Sequence, residues 1–240
     1  MSADINMTRV VGLIGGMSWR TTAVYYKEIN QYVCSKMGGV HSANLLIRSI
    51  DYADIARMVT TKDYDGMTKM LCQAGQELRN GGAKGLVLCA NVAHKAADIL
   101  EKSAGLPVLH IADSTGKRIV SAGYKKVGLL ATKAVMEEEF YKSRLTGKFG
   151  LEVVIPSQEF RAKVDSLIFN ELSKDTISEA VKLCFHNAYT ELKLEHHVDA
   201  IILACTELRL VFTEEDFTVP TFDTTALHAQ GVAEWALSDS

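Results

Sequence analysis

The sequence predicts an α/β protein of two pseudo-symmetric lobes, each a mostly parallel sheet flanked by helices, with the active site in the interlobe cleft. Three observations predict it. Short β-branched apolar runs alternate with longer stretches of helical spacing along the chain. The chain repeats itself at an offset of 116 residues. Its 240 residues suffice for two lobes that each bury a core. The division is placed at 1–115 and 116–240, with the C-terminal helix free to pack back on the first lobe.

In order, Val10–Ile14 reads as the first strand, an apolar run closed by Gly15-Gly16, and Thr21–Ser35 as the helix that follows. Asn44–Ile50 is the next strand, Tyr64–Asn80 a helix, and Gly85–Leu88 a strand that leads into helical spacing over Asn91–Ser103. Pro107–Ile111 closes the lobe as a fourth strand, with Asp113–Ala122 helical behind it. The second lobe repeats the scheme. Strands Lys126–Ala131, Leu151–Ile155, Ala200–Ala204 and Val219–Phe222 enclose helices Met136–Phe149 and Lys174–Leu194. The repeat is visible residue by residue. Val11-Gly12-Leu13-Ile14 returns as Val127-Gly128-Leu129-Leu130, Tyr25 as Tyr141, and Val87-Leu88-Cys89 as Leu203-Ala204-Cys205. In a parallel α/β sheet, ligands lie beyond the carboxyl ends of the strands, so the site is sought just after each one.

Composition narrows the function classes. With 26 Lys and Arg against 29 Asp and Glu, the net charge of −3 supplies no field for nucleic acid. No window approaches a membrane span, and residues 1–9 lack the build of a signal peptide, so a cytoplasmic enzyme of small molecules is expected. Five irregularly spaced cysteines read as reduced thiols. Gly12–Met17 matches neither dinucleotide nor Walker spacing and reads as a tight turn near a small ligand. His196-His197 lack metal-site spacing, so no metal is expected. The Glu137–Glu139 run reads as an acidic helix start.

Cys89 and Cys205 stand apart from Cys34, Cys72 and Cys184, which fall inside helical stretches. Each of the two ends a strand and precedes polar residues expected to open a helix, whose N-terminus would lower a thiol from its free value of about 8.5. Two thiols facing one another across a cleft suit inversion of a stereocentre, one removing the α-proton and the other returning one. Asn91, Thr132 and Thr206 are the donors expected for the substrate carboxylate, with Glu207 beside Thr206. A Cys89–His94 dyad for nucleophilic catalysis stays open, as do a cysteine-dependent isomerase of an unsaturated diacid and a catalytically silent amino acid sensor.

Several ordered motifs carry a resemblance: Gly12-Leu13-Ile14-Gly15-Gly16-Met17-Ser18-Trp19, Gly38–Ala43, Cys89-Ala90-Asn91-Val92-Ala93-His94-Lys95, His110–Asp113, Arg161-Ala162-Lys163, Cys205-Thr206-Glu207-Leu208 and Phe222-Asp223-Thr224-Thr225. They resemble the aspartate/glutamate racemases over nearly the whole chain, in the branch of broad-specificity amino acid racemases and aspartate racemases. The resemblance implies racemisation without pyridoxal phosphate or metal, Cys89 and Cys205 as the acid–base pair, and a pocket lined by Met17, Ala90, Asn91, Val92, Lys163 and Thr206. It also implies that no cofactor is needed and that the protein is a homodimer. Arg20, Val59, Ala90, Val92 and Val135 depart from the usual pattern and bear on which amino acid is accepted.

Overall fold

A central strand with parallel neighbours organises each half of the chain. The computed structural model describes residues 8–172, 177–208 and 211–238. Two units separate, one comprising Met1–His110 with Ala229–Ser240, the other Ile111–His228.

The first unit runs β1 (Val11–Gly15), α1 (Trp19–Met37), β2 (Leu45–Ser49), α2 (Tyr52–Thr60), α3 (Tyr64–Asn80), β3 (Gly85–Leu88) and α4 (Ala97–Ala104). Its sheet has the order β2-β1-β3, parallel throughout. Alternate residues serve opposite faces, as the pleat requires. Ile14, Leu86 and Leu88 pack with Met67, Leu71 and Leu78 of α3 and Leu100 of α4. Val11, Leu13, Val87 and Cys89 pack with Tyr25, Ile29 and Val33 of α1 and with Ala229, Val232 and Ala233.

Two glycines of the first turn are required by the chain itself. A Cβ on Gly15 would lie 2.4 Å from Thr22, and one on Gly16 would lie 1.9 Å from the carbonyl oxygen of Ile50. Gly16 also has φ +88°, which L-residues resist. The turn is as tight as the sequence suggests, and Ile50 and Thr22 account for it without a ligand.

The predicted strand Pro107–Ile111 is a correction. It makes one parallel bridge, Leu86 to Val108, and α5 already begins at Ile111. Pro107 has no N–H to give a ladder, so the contact reduces to its carbonyl accepting from Leu86 N and to Leu109 N donating back to Leu86 O.

The second unit runs α5 (Ile111–Ser121), β4 (Lys126–Ala131), α6 (Lys133–Glu137), α7 (Glu139–Phe149), β5 (Glu152–Val154), α8 (Gln158–Asn170), α9 (Glu179–Leu194), β6 (Ala200–Ala204), β7 (Thr221–Asp223) and the start of α10 (Thr224–Leu237). Its sheet is β5-β4-β6-β7, again parallel. On α9, Val181, Phe185, Ala188, Tyr189 and Leu192 form one buried helical stripe. The predicted helix start at Lys174 lies outside the described residues. The predicted Met136–Phe149 helix breaks at Glu138, whose backbone is extended. The break leaves Glu137 as the last residue of α6 and places Glu139 in the first turn of α7, where the dipole favours it.

The two sheets differ by one residue in register. Ile14 lies opposite Leu88, whereas its repeat, Leu130, lies opposite Leu203 rather than Ala204. Continuing each ladder by one step sets Cys89 opposite Gly15 but Cys205 opposite Thr132.

Candidate active site

In the first unit Cys89 follows β3 directly, its amide donating to the Ile14 carbonyl at 3.0 Å. The side chain is 0% exposed among apolar neighbours. Burial pushes this thiol far above its ordinary value. The expected helix start is another correction: Cys89 is followed by a bend and turn, then a short 3₁₀ segment over Val92–Ala96, and only then α4. Too few aligned peptides stand at the thiol for their dipoles to offset its desolvation. The loop is held from behind instead. His94 Nδ1 lies 2.9 Å from the carbonyl oxygen of Ala90, which can only accept, so this nitrogen carries the proton.

 The His94 ring packs against His110, centroids 4.6 Å apart. Ala90 and Asn91 are buried beside the thiol in sequence, Val92 is half-buried, and Met17 is buried just past the first turn.

In the second unit Cys205 follows β6 directly and is 8% exposed. Its Sγ–H donates to Glu207 Oε2 at 3.0 Å, and the Thr206 hydroxyl donates to the same oxygen at 2.7 Å. The thiol is pushed well above its ordinary range by burial first, then by the charge and hydrogen bond of Glu207, with Asp165 of α8 adding to the effect. A carboxylate therefore stands where it can receive the thiol proton, while its charge opposes formation of the thiolate. Sequence reading counted Glu207 as a substrate contact and missed this bond. Its only signal was the two-residue spacing, which does not say which way a side chain turns.

Thr132 follows β4 and is the N-cap of α6, yet its side chain makes no capping bond and its Oγ1 is buried without a partner. Lys163 sits on α8 with its ammonium 2.6 Å from Glu159 one turn away, and its side chain is 57% exposed. The contacts tie it to its own helix surface rather than to the Cys205–Thr206–Glu207 cluster. Among the departures, Val59 packs against the first unit's core, Val135 is buried, and Arg20 stacks over the exposed Trp19 ring at 4.9 Å. Among the described residues no group of three or more His, Cys, Asp or Glu is placed to hold a metal ion.

With this geometry in hand, comparison with known proteins is decisive. The family model for Asp/Glu/Hydantoin racemase matches residues 14–232. The chain belongs to the Asp/Glu/Hydantoin racemase family. Among its relatives in this racemase family, the broad specificity amino-acid racemase RacX of Bacillus subtilis (strain 168) is 26% identical over 236 residues, covering 95% of this chain and 99% of RacX. A Yersinia pestis structure described as a candidate Asp/Glu racemase is 41% identical with a TM-score of 0.89, covering 96% of this chain and 100% of that one. PH1733, an aspartate racemase homologue from Pyrococcus horikoshii OT3, is 28% identical with a TM-score of 0.80, covering 96% and 99%. Racemase family membership and the α/β architecture of two parallel sheets flanked by helices are thus both established for this chain. No helix among the described residues is long and apolar enough to cross a membrane.

Proposed function

We propose that this protein is an amino acid racemase that needs no cofactor and uses Cys89 and Cys205 as its acid–base pair. The observation that carries the reading is the placement of both thiols immediately past the strand beside the central strand of their sheets, in a chain of the racemase family. In one direction Glu207 takes the Cys205 proton, the thiolate removes the α-proton of the substrate, and Cys89, held neutral by burial, gives its S–H proton to the opposite face of the carbanion. The reverse direction exchanges the roles. Donors near the reacting carbon strengthen their bonds to the substrate carboxylate as carbanion charge spreads onto it.

Asn91, Thr132 and Thr206 supply candidate donors, with Met17, Ala90 and Val92 as apolar lining. A homodimer acting on free amino acids in the cytoplasm completes the proposal. The test follows α-proton exchange and optical rotation of acidic, basic and apolar amino acids in deuterated water. Wild type should exchange and racemise at least one of them, and Cys89→Ala and Cys205→Ala should each abolish racemisation. Exchange that persists in the double alanine variant overturns the mechanism.

A further inference from the structure

The turn that follows Cys89 is irregular, so its shape depends on individual bonds rather than on a ladder. Upstream, the Cys89 amide is tied to β1 through the Ile14 carbonyl at 3.0 Å. Downstream, one residue grips two successive carbonyls. His94 donates its ring Nδ1–H to the Ala90 carbonyl at 2.9 Å and its backbone N–H to the Asn91 carbonyl at 3.1 Å. A peptide unit is planar, with its C=O and the next N–H pointing opposite ways, so each bond fixes a whole plane. His94 therefore sets the planes on both sides of Asn91, whose backbone is helical at φ −61° and ψ −48°. Cys89 stands between an anchor to the sheet and an anchor to His94.

The gripping ring is itself held. His94 and His110 are both buried, and their rings pack at 4.6 Å with a tilt of 57°. His110 arrives there from Pro107–Leu109, which is fastened to β3 by Leu86 N donating to the Pro107 carbonyl and Leu109 N donating to the Leu86 carbonyl, both at 2.9 Å. The single bridge that stands in place of a fourth strand thus has a consequence at the thiol. It ties the backstop of the His94 ring to the strand that leads into Cys89. This role differs from that of the base in a Cys89–His94 dyad, because Nδ1–H is given to Ala90 and only burial raises the thiol.

We propose that His94, backed by His110, is a positioning residue that holds the Cys89 sulfur where it exchanges a proton with the α-carbon. The proposal rests on the two-cysteine racemase reading and goes beyond it by assigning what places the first thiol. Its kinetic signature is unequal. When Cys205 removes the α-proton, a displaced Cys89 fails to reprotonate the carbanion, and Cys205 returns a solvent-exchanged proton to the original face. The substrate then gains deuterium without inverting. In the opposite direction Cys89 must remove the proton itself, so exchange and inversion are lost together. Inversion falls equally from both enantiomers in kcat/KM, because the two have the same free energy.

Deuterium gain and optical rotation are followed from each enantiomer of the amino acid that wild type racemises fastest, for wild type, His94→Gln, His94→Asn and His110→Ala. Glutamine places its amide near the position of Nε2, so His94→Gln should lower kcat/KM for inversion about ten- to a hundredfold, the scale of a misplacement of about an ångström. Exchange should fall with it from one enantiomer and persist from the other, the same one that still exchanges in Cys89→Ala. Asparagine keeps a donor near Nδ1, so His94→Asn should recover most of what His94→Gln loses. His110→Ala should show the same imbalance, and it decides alone if His94→Gln does not fold. A purely structural histidine would instead slow exchange from both enantiomers alike as the folded fraction falls. A second readout needs no turnover: iodoacetamide labelling of Cys89, located by peptide mass spectrometry, should speed up severalfold in His94→Gln and His110→Ala while labelling of Cys184 stays constant. Exchange lost alike from both enantiomers, unchanged inversion, no recovery in His94→Asn, or unchanged Cys89 labelling overturns the assignment. If wild type racemises nothing while Cys89 labelling still responds to His94, the anchor stands and the racemase reading falls.

Discussion

Replacing Glu207 by glutamine tests the cluster around Cys205 on which the proposed mechanism draws. The change keeps an acceptor oxygen and nearly the same shape but removes the charge that receives hydrogen bonds from Cys205 at 3.0 Å and Thr206 at 2.7 Å. A hydrogen bond to a charged group contributes roughly 1.5–3 kcal/mol and a neutral one about 0.5–1.5, so about 1–2 kcal/mol of proton-acceptor strength is lost. That corresponds to a fall of roughly 5–30-fold in the step that generates the Cys205 thiolate. The same substitution removes the negative charge that raises Cys205, so the thiol should become more acidic and the alkaline limb of the rate profile should move to lower pH. Deuterium incorporation measured separately from each enantiomer across pH reads both effects. The loss should be larger for the enantiomer whose proton Cys205 removes. Equal rates and an unmoved limb would refute the role given to Glu207.

Three further outcomes follow from the same coordinates. Cys89 is held protonated in the fold above its ordinary value of 9.0, so above that pH the unfolded chain releases a proton that the folded chain retains. Stability should then be intact below about pH 9 and decline above it by about 1.4 kcal/mol per pH unit for this thiol, a slope that Cys89→Ala should reduce in urea titrations. Gly16→Ala combines a positive φ with a Cβ 1.9 Å from the Ile50 carbonyl, and should cost about 2–5 kcal/mol, seen as a lower melting temperature. Asp113 is raised by burial but lowered more by Arg144, which grips it at 2.6 and 2.8 Å, and by Lys148 at 2.6 Å, so its net value is depressed. Its contribution is present above the unfolded carboxyl's ordinary value of 3.8 and fades as pH falls through the folded one. Asp113→Asn should flatten that acid limb and cost about 1–2 kcal/mol at neutral pH, the pair being partly solvated.

Much of the fold could be read directly. Apolar runs of four to six residues, such as Gly85–Leu88 and Lys126–Ala131, are buried strands because a parallel sheet covered on both faces asks for little else. The run at Pro107–Ile111 misled because its composition is that of a strand while its proline cannot donate to a ladder. The prominence of Cys89 and Cys205 was legible from their positions after strands. Their acidity was not, since it depends on whether a helix or a bend follows and on how deeply each sulfur is buried.

Local sequence determined which segments become strands and helices, and it set the two thiols at strand ends, because those properties depend on composition within a few residues. Tertiary structure decided the rest: that Glu207 turns back onto Cys205, and that Thr132 follows the strand residue opposite Ala204. Register joins residues far apart in the chain through backbone hydrogen bonds, and a shift of one residue, such as separates the two sheets, changes every neighbour while leaving each strand's own pattern intact.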